Sequence, residues 1–425
     1  MRTLLLSLGA LTFSTAPALA ADPPAPPTLP PPFDTKSVVK HPKVIGWPAG
    51  KTPAAPAGFA VVLFAEKFDS PRWLYVLPNG DVLVAEARTL PKKDAKPEVK
   101  EGLKQSKTVT GGSANRITLL RDADKDGTPE VRETFLSDLN QPFGMALIGD
   151  QLFVANTDGV LRFPYKTGDT KITAKGTPIL HLPIGGYNNH WTRNIVASAD
   201  GSKLYVTVGS ASNVGENGMK EEALRANILE VNPDGTGLRV FAAGLRNPVG
   251  TAWEPTTKTL WTAVNERDEL GDELVPDYIT SVKDGGFYGW PYSYFGKNED
   301  PRRKGERPDL VAKATAPDLA IGSHTASLGL CFYTGSAFPE KYRGGAFIGQ
   351  RGSWNRSKFA GYRVAFVPFK DGKPASGPED FLTGFIANDD EVYGRPVCVC
   401  VAPDGALLVT DDVTDRIWRV APVKK

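Results

Sequence analysis

Four histidines serve a chain of 425 residues. One of them, His190, stands in the loop "GYNNHWTRN", after two asparagines and before a tryptophan and an arginine. Imidazole is the side chain whose ordinary pKa best suits proton transfer near neutrality. Three other segments set arginines beside Gly or Pro turns: "AGLRNPVGTAW", "GQRGSWNRS" and "YGRPVCV". Together the four loops offer Arg193, Arg246, Asn247, Arg351, Arg356 and Arg395. Guanidinium forks match the paired oxygens of carboxylates and phosphates, and several gathered in one place repel one another unless an anion lies among them. A base beside a polyanionic ligand is the chemistry these loops point to. The plainer alternative is a hydrogen-bonded structural histidine among solvated arginines; recurrence of the pattern at turn after turn favours ligand loops.

Acidic clusters point to a second chemistry. "DADKDGTPEVRE" fits D-x-D-x-D-G-x5-E, with Asp122, Asp124 and Asp126 as oxygen donors, Gly127 at the sharp turn and Glu133 closing the set. The flanking segments read as strands, so the expectation is a structural Ca²⁺ tying one hairpin, with a solvated acidic turn as the alternative. "NERDELGDELVPDY" carries six more carboxylates and is compatible with a second Ca²⁺ site.

Such loops need a scaffold that returns them to one place. A Gly/Asp/Asn turn followed by a short apolar run occurs six times, near Gly80, Asp150, Gly201, Thr257, Gly345 and Gly405, on average about 65 residues apart. Further strand candidates are "NRITLLRD", "ANILEVNP" and "GYRVAFVPF". With 43 Gly and 36 Pro in a turn-rich chain, the reading is an all-β, six-bladed β-propeller over 58–425, whose loops collect at a central mouth. Two tandem β-sandwiches are the alternative; no linker-like break interrupts the repeat. A small helix is expected in "LVPDYITSVKD", as an insertion.

Ahead of the propeller, residues 1–20 read as a secretory signal peptide ending Ala18-Leu19-Ala20, and 21–57 as a Pro-rich N-terminal extension whose first stretch, "ADPPAPPTLPPPF", is an extended tether with no core of its own. The location expected is the periplasm or the exterior, with no membrane span. A net charge of +2 offers no basis for a nucleic-acid partner. Cys331, Cys398 and Cys400 are the only cysteines. They read as small buried hydrophobes, with a bridge to Cys331 as the alternative, and no haem-attachment motif is present.

The runs "GLRNPVG", "LWTAVNERDELGDELVP", "GGFYGWPYSYFG", "HWTRN", "GSWNR" and "GRPVCVCVAPDG" resemble the soluble sugar dehydrogenases that depend on pyrroloquinoline quinone (PQQ), the glucose/sorbosone dehydrogenase family, from about Phe59 to Val420. The resemblance implies PQQ at the mouth with Ca²⁺ and oxidation of an aldose-type hydroxyl or hydrated aldehyde. An external quinone or cytochrome would take the electrons. It makes His190 the general base and Arg246 its catalytic partner. Arg246, Asn247, His324, Arg351 and Arg395 become cofactor contacts, Gln141, Asn189 and Trp191 substrate contacts, and Asp272, Glu273 and Tyr288 a metal site. Three positions depart from the family pattern: Val397 replaces a second clamp arginine, Asn189 replaces an acidic residue, and Arg267-Asp268 replaces a Gly-Pro pair. On this reading the amides near His190 fix its tautomer and the arginines keep its pKa low. Competing readings are a metal-dependent lactonase-like propeller and a non-catalytic binding propeller.

Overall fold

The computed structural model describes residues 24–91, 95–184 and 188–423. The expected signal peptide lies outside them. Six sheets follow one another around a ring, each with four antiparallel strands, and that of blade three gains a fifth, Gly286–Phe287, paired in parallel at its outer edge. Their innermost strands are Pro71–Val76, Met145–Ile148, Ile195–Ala197, Pro248–Trp253, Ser327–Phe332 and Pro396–Val401, for blades one to six. Blade six is closed by the N-terminal side of the chain, since Phe59–Glu66 pairs antiparallel with Arg416–Pro422.

All six sequence turns join an innermost strand to the second strand of its blade. The alternation of β-branched and aromatic residues after each turn produces strands buried on both faces, such as Val82–Glu86, Leu204–Val208 and Leu260–Val264. Between blades the side chains interlock. Trp73, Phe135, Phe143 and Trp191 sit in one cluster, and Tyr333, Phe338, Phe366 and Trp418 in another.

Two expectations change. "LVPDYITSVKD" is not a helix: Pro276–Ser281 is the third strand of blade four, because Tyr278, Ile279 and Thr280 are wholly buried against neighbouring blades. The helices lie elsewhere, at Pro97–Gln105 and Pro308–Lys313. The stretch expected to be a bare tether packs Leu29 against the core of blades three and four, and farther along the extension buries Val44 and Trp47 in the core of blades five and six. Its Lys43–Val44 pairs in parallel with Glu391–Val392.

The three cysteines carry free thiols on the innermost strands of blades five and six, with Cys398 buried. No helix among the described residues is long and apolar enough to cross a membrane.

Candidate active site at the propeller mouth

Propeller geometry explains why residues far apart in sequence meet. In each blade the innermost strand starts, and the second strand ends, at the same face of the ring. Gln141 precedes the innermost strand of blade two, His190 that of blade three, Arg246-Asn247 that of blade four, His324 that of blade five and Arg395 that of blade six. Just past the ends of second strands stand Arg88, Ser210, Asp268, Arg351 and Asp412. The candidate base and cofactor contacts thus share one mouth.

His190 is the best-defined member. Its Nδ1–H donates to the Ser210 carbonyl oxygen at 2.8 Å, with Ser210 Oγ at 3.0 Å. A carbonyl accepts only, so this contact assigns the proton to Nδ1 and leaves Nε2 basic. Burial, then the nearby Arg246 charge, hold the imidazole well below its ordinary pKa. The neighbouring amides have another task than fixing the tautomer. Arg193 donates to the His190 carbonyl at 2.6 Å and to Asn188 Oδ1 at 3.3 Å, Arg225 donates to the same Oδ1, and Asn188 Nδ2 donates to Thr157 at 3.0 Å. The "NNHWTRN" run is a brace for the loop that carries the base. Residues 185–187 of it lie outside the described part.

Arg246 is fully engaged. It donates to the Glu266 carbonyl at 2.6 Å, to Asn213 Oδ1 at 2.9 Å and to Asp268 Oδ2 at 3.0 Å. The other oxygen of Asp268 faces His324 Nδ1 at 3.4 Å, while His324 Nε2 donates to the Gly271 carbonyl at 2.8 Å. Burial alone would depress His324; Asp268, the Gly271 carbonyl and Asp277 outweigh it and hold the imidazole above its ordinary pKa. The mouth therefore keeps one histidine neutral and favours the cation of another. Gly209 fits between His190 and Asn247, where a Cβ would overlap Asn247 Oδ1 and lie 2.6 Å from His190 Cβ. Asn247 Oδ1 is buried without a hydrogen-bond partner.

Beside this group is a second one that sequence reasoning half missed. Arg72 and Arg351 both pair with Asp412 Oδ2, at 2.5 and 2.8 Å. Arg395 donates to the carbonyls of Arg351 and Gly352, at 3.0 and 2.8 Å. Burial and the Arg351 charge bring Arg395 down to about 10, and burial, against the pull of Asp412, brings Arg72 to about 10. Arg72 Nε and Asp412 Oδ1 are buried without hydrogen-bond partners. Arg72 and Arg351 thus share the Asp412 carboxylate, while Arg395 rests on two backbone carbonyls with its backbone N–H on Asp411 Oδ1, so three guanidiniums meet two carboxylates and Arg72 Nε stays an unfilled donor. Arg72 also lies over Trp191, 5.3 Å from the ring centroid, which links this group to the His190 loop.

Trp191 is buried, its Nε1 donating to Thr89 Oγ1 at 2.9 Å, so its ring is a wall of the core. Gln141 donates through Nε2 to the Arg88 carbonyl at 2.8 Å. Asn189 is anchored through its backbone N–H to the Ala211 carbonyl at 3.0 Å. Arg356 pairs with Glu273, and Ser357 holds Asp272 through both N–H and hydroxyl. Tyr288 is buried in blade three, its hydroxyl donating to the Ser281 carbonyl at 2.6 Å. Asp272 and Glu273 are committed to the 356–357 loop, so their carboxylates do not form an open cation cage with Tyr288.

In the acidic hairpin, Asp122, Asp124, Asp126 and Glu130 bring carboxylate oxygens within 4.8 Å of one another. Glu133, the expected closing ligand, instead pairs in the strand Val131–Leu136. The chain turns into that strand too soon for the twelfth position to fold back. This hairpin joins the third and fourth strands of blade one, at the face opposite the mouth.

Six blades around one mouth define a six-bladed β-propeller, a fold shared with solved sugar dehydrogenases. The holo form of the pyranose dehydrogenase PQQ domain from Coprinopsis cinerea matches 89% of this chain and 99% of its own, at TM-score 0.70 and 19% identity. Aldose sugar dehydrogenase YliI of Escherichia coli is 26% identical over 273 residues, 60% of this chain and 66% of that protein. An uncharacterized protein of Borreliella burgdorferi is 31% identical over 301 residues, 68% of this chain and 77% of that protein. The chain belongs to the DUF7133 family, a domain of unknown function, whose pattern matches residues 51–417.

Proposed function

We infer that the chain is a PQQ-dependent dehydrogenase that oxidises a sugar-type hydroxyl or hydrated aldehyde and passes electrons to an external quinone or cytochrome, in the periplasm or outside the cell. One observation carries this reading: a neutral imidazole, His190, shares a mouth with the guanidiniums of Arg72 and Arg351, both paired with Asp412, and of Arg395, which rests on backbone carbonyls beside them. The names of the similar proteins, a PQQ-domain pyranose dehydrogenase and an aldose sugar dehydrogenase, support it.

The donor set fits a polycarboxylate cofactor. Arg72 Nε is a buried donor without a partner, and the surplus charge needs a counter-anion. Arg351 and Arg395 would hold carboxylates of PQQ, while Arg246 and Asn247 would face its quinone. PQQ, when bound, supplies the two-electron acceptor. The chain's own part is proton handling and orientation. His190 Nε2 accepts the substrate hydroxyl proton, Ser210 fixes the ring, and Arg193 holds the loop behind it. Arg246, oriented by Asp268 and backbone carbonyls, presents fixed positive charge without rearrangement during the reaction.

A hard cation fits the oxygen donors of Asp122, Asp124, Asp126 and Glu130, where it would brace blade one. Asp272 and Glu273, bonded to Ser357 and Arg356, do not fit one as they stand. A lactonase-like reading requires mouth carboxylates free to grip a metal; Asp268 and Asp412 are paired with arginines instead.

The test is titration of the purified chain with PQQ, with and without Ca²⁺, followed by dye reduction over a panel of aldoses and aldehydes. Saturable binding with dye reduction is expected. Absence of PQQ binding under both conditions would sink the reading.

A further inference from the structure

We propose that extension residues 33–41 are a working part of the mouth, with Thr35 and Ser37 acting as positioning residues that set Arg246 through Gly271, His324 and Asp268. The proposal rests on the reading above only in taking Arg246 to face the ligand.

The chain of contacts is continuous. Ser37 Oγ accepts the Gly271 N–H at 3.1 Å, Thr35 Oγ1 accepts the Asp272 N–H at 2.7 Å, and the Leu270 carbonyl accepts the Phe33 N–H at 2.8 Å. Three consecutive residues of the blade-four loop are therefore held by the extension. The Gly271 carbonyl, in the middle of that grip, accepts from His324 Nε2 at 2.8 Å. His324 faces Asp268 at 3.4 Å, and Asp268 takes Arg246 Nη2 at 3.0 Å. Displacing Gly271 would shift the acceptor that orients His324, and through Asp268 the guanidinium itself.

Gly271 is shaped for this contact. Its φ is +112°, and a Cβ would lie 2.9 Å from Thr35 Oγ1 and 3.0 Å from the Thr35 carbonyl oxygen. The extension lies directly on the backbone there. Farther along it is pinned again: Asn355 Nδ2 donates to the Val38 carbonyl at 2.6 Å, the Lys40 N–H to the Trp354 carbonyl at 2.7 Å, and Gln105 Nε2 to the His41 carbonyl at 2.9 Å. His41 stacks on Trp354 with ring centroids 5.7 Å apart. One short segment thus joins mouth-side loops of blades four and five to the helix Pro97–Gln105 inserted in blade one.

The test compares Thr35→Ala/Ser37→Ala, and Ser37→Ala alone, with the hydroxyl-preserving pair Thr35→Ser/Ser37→Thr, all in the full chain. In the PQQ-loaded protein the alanine variants are expected to lose about 10-fold in kcat, the lower end of what removing an outer-shell partner costs. Substrate KM should stay within about twofold, and the hydroxyl-preserving pair should restore kcat. Independently of PQQ, ¹⁵N-histidine NMR of the unloaded chain should show the His324 Nε2–H signal in the parent and the hydroxyl-preserving pair, and its loss or broadening in the alanine variants. If the His324 signal is unchanged by both alanine variants, the positioning role is overturned. If the NMR change is seen but no variant, nor the parent, turns over substrate with PQQ, the positioning stands and the dehydrogenase reading fails.

Discussion

His190 Nδ1 sits 2.8 Å from the carbonyl oxygen of Ser210, which follows the second strand of the same blade. That contact makes Nε2 the only proton acceptor His190 can offer. Replacing His190 by Gln or Ala should lower kcat by roughly 10²–10⁴-fold. PQQ affinity should change little, because the guanidiniums that would hold the carboxylates are untouched. Stopped-flow dye reduction together with PQQ titration separates the two effects.

Protonation gives a second expectation, with opposite signs for different histidines. Burial first, then Arg246, depress His190, so the acid limb of kcat/KM should fall below pH 6.5. His41 is likewise depressed, to about 4, by burial and by Arg395. A histidine with a lowered folded pKa takes up protons more readily when unfolded, so stability falls as pH drops from 6.5 toward the folded value. His324 runs the other way. Its raised pKa contributes stability fully present below pH 6.5 and lost as pH rises through the folded value. Melting curves from pH 4 to 8 test this, and His41→Phe should flatten the decline between pH 6.5 and 4.

Gly209→Ala is a small change with a large expected effect. The new methyl would collide with Asn247 Oδ1 and press on His190 Cβ. Activity should fall at least 10-fold, as misplacement of a base by a fraction of an ångström predicts, while the far-ultraviolet circular dichroism stays that of the parent.

Among the described residues Asp412 is the carboxylate that pairs with both Arg72 and Arg351. Asp412→Asn should destabilise the chain by about 3–5 kcal/mol, the cost of leaving buried charge unpaired. Urea unfolding measures this loss. Adding PQQ should recover part of it, since a bound anion stabilises the folded state by mass action.

The acidic hairpin makes a discriminating comparison. Glu130→Gln should weaken Tb³⁺ luminescence and remove a Ca²⁺-dependent rise in Tm, whereas Glu133→Gln should leave both intact, because Glu130 is the carboxylate gathered with the three aspartates. Equal effects of the two would restore the twelve-residue loop expected from spacing.

The fold was legible because its signal is local and repeated: each of six turns precedes a strand whose side chains are buried on both faces. His190, Arg246 and Arg395 were legible from that periodicity, since each precedes an innermost strand, whereas His324 came only from the family resemblance. Arg72, Ser210 and Asp412 carry no such mark. Arg72 lies inside a strand, Ser210 contributes mainly a backbone oxygen, and Asp412 follows another aspartate in a turn that reads as solvated. The extension was misjudged for a related reason: proline-rich composition predicts an extended backbone but not what the backbone lies on. The segment Pro276–Ser281 misled because its apolar residues fit a helix or a strand equally well until neighbouring blades are present.

Ring closure through Phe59–Glu66 and Arg416–Pro422 has a consequence for synthesis. Of the strands that form the ring, Arg416–Pro422 is made last, and it is the one the earliest strand of blade six awaits. Until then both the waiting strand and Leu407–Asp411 expose open edges, the form most prone to pairing with another molecule. A chain ended by a stop codon before Arg416 would keep those edges open permanently and should accumulate as aggregate rather than as a five-and-a-half-bladed propeller.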